Sequence, residues 1–240
     1  MGLRAGLAVF ARRRDELLRV AHTRDVRHAL GDLARWCRAK GVPCEESSDA
    51  ELDRLAESSH HEGLWMVARP RRWLSTRELA DALLRHGSAG TTGTAVALDR
   101  VRNPYNVGAI VRSAAFFAVD AVLLGAPAPH PGLPPIAVRV AEGGAEHLQL
   151  ARTTDLADTL ARLRARGVRI VGADGKAKTA SAGFGFGRPA VLVLGSEREG
   201  LGERVRAQCD AVVAVRGGGA VESLNVAVAA GVLVAEMMGR

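Results

Sequence analysis

Two glycine-rich turns near the end of the chain gather many of its polar residues, and each follows an apolar run short enough to be a buried strand. Val191-Leu192-Val193-Leu194 breaks at Gly195-Ser196-Glu197-Arg198-Glu199-Gly200, and Ala211 to Val215 breaks at Arg216-Gly217-Gly218-Gly219. After the second turn, Glu222-Ser223-Leu224-Asn225 opens an apolar helix that ends near Met238. Turns at the carboxyl ends of parallel strands are where open α/β sheets bind ligands. Glycine at positive φ, with Ser or Asn capping the next helix, accounts for the same residues without a ligand, so spacing alone leaves both readings open. Upstream, the strand Ala95-Val96-Ala97-Leu98 leads into a helix with Asn106 at its N-terminus. Arg112 follows six residues later among Ile110, Val111, Ala114, Ala115, Phe116 and Phe117. A charge in that company points either at a carboxylate partner or at a substrate.

Three stretches in order carry a resemblance. Asn103-Pro104-Tyr105-Asn106-Val107-Gly108-Ala109-Ile110-Val111-Arg112-Ser113-Ala114, Gly195-Ser196-Glu197-Arg198-Glu199-Gly200-Leu201 and Ser223-Leu224-Asn225-Val226-Ala227-Val228-Ala229 resemble the three motifs of the SpoU, or TrmH-type, RNA ribose methyltransferases. The resemblance implies an α/β fold: a small N-terminal domain similar to ribosomal protein L30e, then a six-stranded parallel sheet between helices whose C-terminal segment forms a deep trefoil knot. It also implies S-adenosylmethionine as cofactor, contacted at Gly195, Val215 and Leu224, and transfer of its methyl group to a ribose 2′-hydroxyl of structured RNA, either tRNA or rRNA. Arg112 matches the family's catalytic arginine. An arginine ordinarily stays protonated, so its expected work is first stabilising an alkoxide and clamping a phosphate, and acting as a base only where the RNA perturbs it. Glu197 is expected to orient Arg112 or Asn106, and Ser223 and Asn225 to place cofactor or ribose by hydrogen bonds. A homodimer through the catalytic domain is implied as well.

The chain departs from the family at three places. Val215 stands for an expected isoleucine and Arg216 for an expected proline. Glu142 precedes Gly143-Gly144-Ala145-Glu146-His147-Leu148, a segment similar to one in the family, at a position where a small hydroxyl residue is expected. The readings set against methyl transfer to ribose are a catalytically silent RNA-binding or assembly protein of the same fold, and a knotted methyltransferase acting on a base nitrogen.

The elements that position these motifs follow from periodicity. Glu16 to Ala21 reads as a strand and Asp25 to Lys40 as a helix stopped by Gly41. Ser48-Asp49-Ala50-Glu51 is a capping-box pattern, and Leu64 to Ala68 is a last strand of this module. Periodicity thus suggests a small α/β module of about three strands, and the resemblance implies residues 1–72 as an RNA substrate-binding domain, 73–92 as a linker containing a helix over Thr76 to Leu84, and 93–240 as the methyltransferase domain. Further strands are expected over Ala121 to Leu124, Leu148 to Ala151 and Val168 to Ala173. Ala126 to Pro135 is a proline-rich loop, Thr154 a helix cap, and Gly183-Phe184-Gly185-Phe186-Gly187 a flexible loop.

Composition excludes several classes. Among 240 residues with a formal charge of +7, arginine dominates the cations, which fits a polyanionic partner. Arg188 and Glu222 occupy the last glycine position of two near-matches to G-x-G-x-x-G, so a nicotinamide site is disfavoured. Ser59-His60-His61-Glu62-Gly63 resembles the family's turn before the last strand of the first domain. No carboxylate or Cys sits at the spacing that would complete a zinc site, so no metal is expected and the histidines are expected to be exposed. Cys37, Cys44 and Cys209 lack C-x-x-C spacing, and no run of eighteen apolar residues exists. A cytoplasmic protein that makes no membrane contact is the expectation.

Overall fold

The structure, a computed structural model, describes residues 2–85, 93–125 and 132–239. Most of the expected proline-rich loop and the end of the expected linker lie outside the described residues. The chain opens with helix α1 (Leu3–Arg13), followed by β1 (Leu17–His22), α2 (Gly31–Lys40), β2 (Cys44–Glu46), α3 (Asp49–Ala56) and β3 (Leu64–Ala68). These strands form a three-stranded sheet ordered β2-β1-β3, with β2 parallel and β3 antiparallel to β1. Gly41 ends α2 at φ 68, and the Ser48 side chain accepts from the Glu51 amide to start α3. Val9, Leu17, Val20, Leu30, Leu33, Cys37, Leu64 and Met66 fill this module's core. Helix α1 lies so close to β3 that a Cβ on Gly6 would come 2.6 Å from the Leu64 side chain.

Helix α4 (Thr76–Leu84) follows, with Ser75 and Glu78 forming a reciprocal capping box. Then come β4 (Thr94–Asp99), α5 (Pro104–Phe116), β5 (Ala121–Gly125), α6 (Pro135–Val140), β6 (Gln149–Thr153), α7 (Leu156–Ala165), β7 (Arg169–Ala173), β8 (Thr179–Ala180), β9 (Ala190–Leu194), α8 (Glu203–Arg206), β10 (Ala211–Ala214) and α9 (Val226–Met237). A seven-stranded, wholly parallel sheet results, ordered β6-β5-β4-β9-β7-β10-β8. Both faces are covered, as an all-parallel sheet requires. Leu98, Ile110, Val111, Leu194, Leu233 and Val234 belong to one core cluster, and Leu79, Leu83, Leu123, Leu160, Leu163 and Val193 to another.

Several expectations are corrected. The sheet has seven strands where six were expected, because the two-residue β8 adds an edge beside β10. Within the segment expected as a linker, the helix expected over Thr76 to Leu84 is present as α4, and its Leu79, Ala80 and Leu83 are buried in the second of those clusters. Asp155, not Thr154, caps α7 by accepting from the Asp158 amide. The glycine-phenylalanine run is pinned: Phe186 is buried and packs edge-on to Phe184 at 5.1 Å, with Arg169 over the Phe184 ring.

Candidate active site

Strands β4, β9, β7 and β10 are neighbours and run the same way, so their exit turns share one edge of the sheet. The chain leaves β4 through Arg100 at φ 58 and reaches Asn103, whose side chain accepts from the Tyr105 amide at 2.9 Å. Pro104 follows at the first helical position, where a missing N–H costs nothing. Asn103 is therefore the cap, and Asn106 in the first turn is left free to reach across to the next strand's turn.

The centre of that reach is Glu197. Its Oε1 accepts from Asn106 Nδ2 at 3.0 Å, from Asn225 Nδ2 at 2.6 Å and from the Val226 amide at 3.3 Å. Asn225 Nδ2 also donates to Asn106 Oδ1 at 3.1 Å, while its own Oδ1 accepts from the Ala227 and Val228 amides and caps α9. One carboxylate thus joins all three stretches singled out in the sequence and sits at the positive end of α9, where an anion is favoured.

The turn holding Glu197 is clamped from β4. Buried Asp99 accepts from the Gly202 amide at 2.7 Å; Arg100 donates to the Gly200 carbonyl at 3.1 Å and pairs with Glu199. Sequence reasoning missed both residues, although two opposite charges directly after a buried strand were a usable signal. Gly195 sits at the base of this turn, where a Cβ would overlap the Gly200 carbonyl and the Leu201 nitrogen. Its glycine is therefore demanded by the chain's own return path.

The remaining candidates lie around the second turn. Val215 is half-buried against the core, and Arg216 donates to the Ala177 carbonyl at 2.9 Å and to the Lys178 carbonyl, tying the β10 exit to the β7 exit. There the Lys176 amide, and then Arg206, hold the Asp174 carboxyl below its usual range. Ser223 and Leu224 are exposed in the loop before α9, and Ser223 makes no hydrogen bond among the described residues. Asn225 alone fills the capping role considered for the pair.

Arg112 does not join the Glu197 cluster. Six residues at about 1.5 Å rise and 100° each place it roughly 9 Å along α5 and on another face from Asn106. Among the described residues its ion pair is with Glu142, Nη1 to Oε1 at 2.9 Å. Of the two orientations expected for Glu197, the structure shows the one to Asn106.

Among the described residues, neither the thiols of Cys37 and Cys209 nor the His60-His61 pair bonds to the Glu197 cluster. Burial pushes the thiols of Cys37 and Cys209 up to about 11, so neither is a thiolate near neutral pH. The histidine pair is only half exposed: His61 is buried, its Nδ1 accepting from the Gly63 amide and its Nε2 lying 3.3 Å from Asp53. That correction has a simple cause, since the ring closes the turn it belongs to.

Residues 93–235, more than half of the chain, match the model of the SpoU rRNA methylase family. The chain belongs to the SpoU rRNA methylase family. Residues 1–74 match a second model, the substrate-binding domain of RNA 2′-O ribose methyltransferases. A Mycobacterium ulcerans protein described as an uncharacterized tRNA/rRNA methyltransferase is 38% identical over 197 residues, 82% of this chain. This SpoU chain spans only 62% of that relative's length. A Mycobacterium avium protein of the same description is 34% identical over 98% of this chain and 72% of its own. In fold, this SpoU chain is similar to an AdoMet-bound rRNA methyltransferase from Sinorhizobium meliloti, at TM-score 0.78 and 22% identity over 98% of this chain and 83% of that one. It is equally similar to the SpoU methyltransferase AviRb from Streptomyces viridochromogenes in complex with AdoMet, at TM-score 0.79 and 22% identity over 100% and 88% of the two chains.

Proposed function

We propose that the protein transfers a methyl group from S-adenosylmethionine to a ribose 2′-hydroxyl of tRNA or rRNA. The observation that carries this reading is the Glu197 hub, which locks Asn106, Asn225 and the start of α9 together at the sheet edge where ligands of such folds bind. The neighbouring turn suits the cofactor. A Cβ on Gly217, Gly218 or Gly219 would meet nothing within 4 Å, and the apolar side chains of Val221 and Leu224 are exposed beside them. Backbone groups of the Gly195 and Val215 turns, with the apolar face of Leu224, would hold the adenosine. Arg216 leaves that pocket open, because its guanidinium is committed to the Ala177 and Lys178 carbonyls.

When bound, S-adenosylmethionine supplies an electrophilic methyl group on its sulfonium. The chain must then aim a weak nucleophile and accommodate its proton loss. Glu197 is a positioning residue, since its Oε1 is already engaged by three donors. Asn106, and Ser223 with its free hydroxyl, would direct the ribose. Arg112 would stabilise charge developing on the 2′-oxygen and grip a flanking phosphate. The division of labour we propose places RNA selection in residues 1–72, which we read as L30e-like on the strength of its three-stranded sheet. Residues 73–92 connect it to a methyltransferase domain over 93–240. Insertion of β9 between the earlier β4 and β7 supports the threaded C-terminal knot, which an experimental chain trace checks.

Incubation with methyl-labelled S-adenosylmethionine and bulk tRNA or rRNA should place label in RNA. A protein that binds RNA but neither transfers label nor binds S-adenosylmethionine in a titration would be the silent RNA-binding module instead.

The working form we propose is a homodimer packed through α5 and α9. Tyr105 on α5 and Val228 and Val232 on α9 are exposed, and Glu236, the next in that line, has a carboxylate oxygen that is buried without a partner among the described residues. Sedimentation at micromolar concentration should show a species of twice the chain's 25.3 kDa mass. A monomer alone would remove the dimer from this account.

A further inference from the structure

Glu142 joins two arginines from distant parts of the sequence. Its Oε2 accepts from Nη1 of Arg4 on α1 at 2.7 Å, and its Oε1 lies 2.9 Å from Nη1 of Arg112 on α5. For each arginine this is its ion pair among the described residues, so both oxygens of one carboxylate serve two cations. A cavity of about 330 Å³ opens over the group, with Phe116, Gly144 and His147 also in its wall.

The placement of Arg4 is not incidental. Gly143, at φ 87, lies so close beneath α1 that a Cβ there would come 2.7 Å from the Ala8 side chain. The same seam is fastened by Glu146, which pairs with Arg13 at 2.8 Å and Arg71 at 2.7 Å. Helix α1 is thereby seated on the turn that carries Glu142, and Glu142 itself adopts φ 45, a conformation uncommon for a residue with a side chain. Two guanidinium groups and one carboxylate leave one net positive charge facing solvent, for the side chains of Arg4 and Arg112 are 74% and 54% exposed. Ion pairs so exposed are weak and exchangeable. A phosphodiester offers the two-oxygen edge that a guanidinium fork fits best.

We propose that Arg4 and Arg112 form one clamp for an RNA phosphodiester, and that Glu142 is the resident carboxylate that holds the pair in place until the phosphate replaces it. This rests on the RNA methyltransferase reading above. Arg4 is then a positioning residue supplied by the N-terminal module: a phosphate held by Arg112 alone can pivot about one fork, whereas a second guanidinium from α1 fixes its direction.

The test is the sign of two substitutions, read by fluorescence anisotropy of a labelled RNA hairpin over a salt series. Arg4→Ala should weaken binding several-fold and make the slope of log affinity against log salt shallower by about one. Glu142→Gln keeps the side-chain shape but removes the competing charge, and should tighten binding several-fold. In methyl transfer the same two variants should move KM for RNA in opposite directions, with kcat changed less. Their combination should lose most of the Glu142→Gln gain, because half of the clamp is gone. Should Arg4→Ala lower the melting temperature, Arg4→Lys replaces it, with a partial loss of affinity expected from its missing fork. A mere brace between the two modules would weaken RNA binding in both variants, and that result, or no change in either, overturns the clamp. Wild-type protein that binds no RNA even at low salt overturns it together with the proposed function.

Discussion

Arg112→Ala is expected to lower turnover on the order of 100-fold or more while leaving S-adenosylmethionine affinity unchanged, since loss of a donor aimed at developing negative charge acts mainly in the transition state. The structure makes the variant easy to interpret. Arg112 is half exposed and its ion pair with Glu142 is a surface pair, so stability should change by no more than about 1 kcal/mol. RNA affinity should fall modestly, through one lost phosphate contact. Arg112→Lys should rescue little, because an ammonium lacks the planar fork that engages two oxygens at once. Single-turnover kinetics with saturating cofactor separate the step from binding. A folded Arg112→Ala protein with wild-type kcat would take Arg112 out of the chemistry.

What the sequence could show of this site follows from the range of the forces involved. The Glu197 hub was half legible: the three motifs announced that their residues meet, but only the turn of α5 decides that Asn106 and not Arg112 faces Glu197. Asn103 and Asn106 are both good caps by type, and the backbone alone selects the first. The same ambiguity misassigned Thr154, whose neighbour Asp155 does the capping. Helix α1 went unread because its glycine and scattered arginines weaken the helical pattern, and the reason for Gly6 is its contact with Leu64, far along the chain. Glu142 was visible as a departure, yet nothing local could reveal its partners, since Arg4 stands 138 residues away. Local rules also favoured a mobile glycine-phenylalanine loop, and burial of Phe186 overrode them. Strand β8, two residues long, has no pattern to read and exists only because β10 offers it an edge.

An RNA that carries a single deoxyribose at the modified nucleotide should accept no methyl group there. Such a substrate keeps every phosphate and base, so the proposed Arg112 contact and the proposed fit to residues 1–72 would be intact, and only the nucleophile is missing. Binding should therefore persist near the level of the all-ribose RNA while transfer at that position disappears, a separation that a loss of affinity could not mimic. The same substrate divides the chemical alternatives. A methyltransferase acting on a base nitrogen would need no 2′-hydroxyl, and would label the deoxy substrate with little change in rate. Mapping the modified nucleotide first, then repeating the assay with the substituted RNA, gives the answer in one comparison. Label at the deoxy position would move the acceptor to the base, and with it would go the role of Arg112 as partner to a ribose alkoxide.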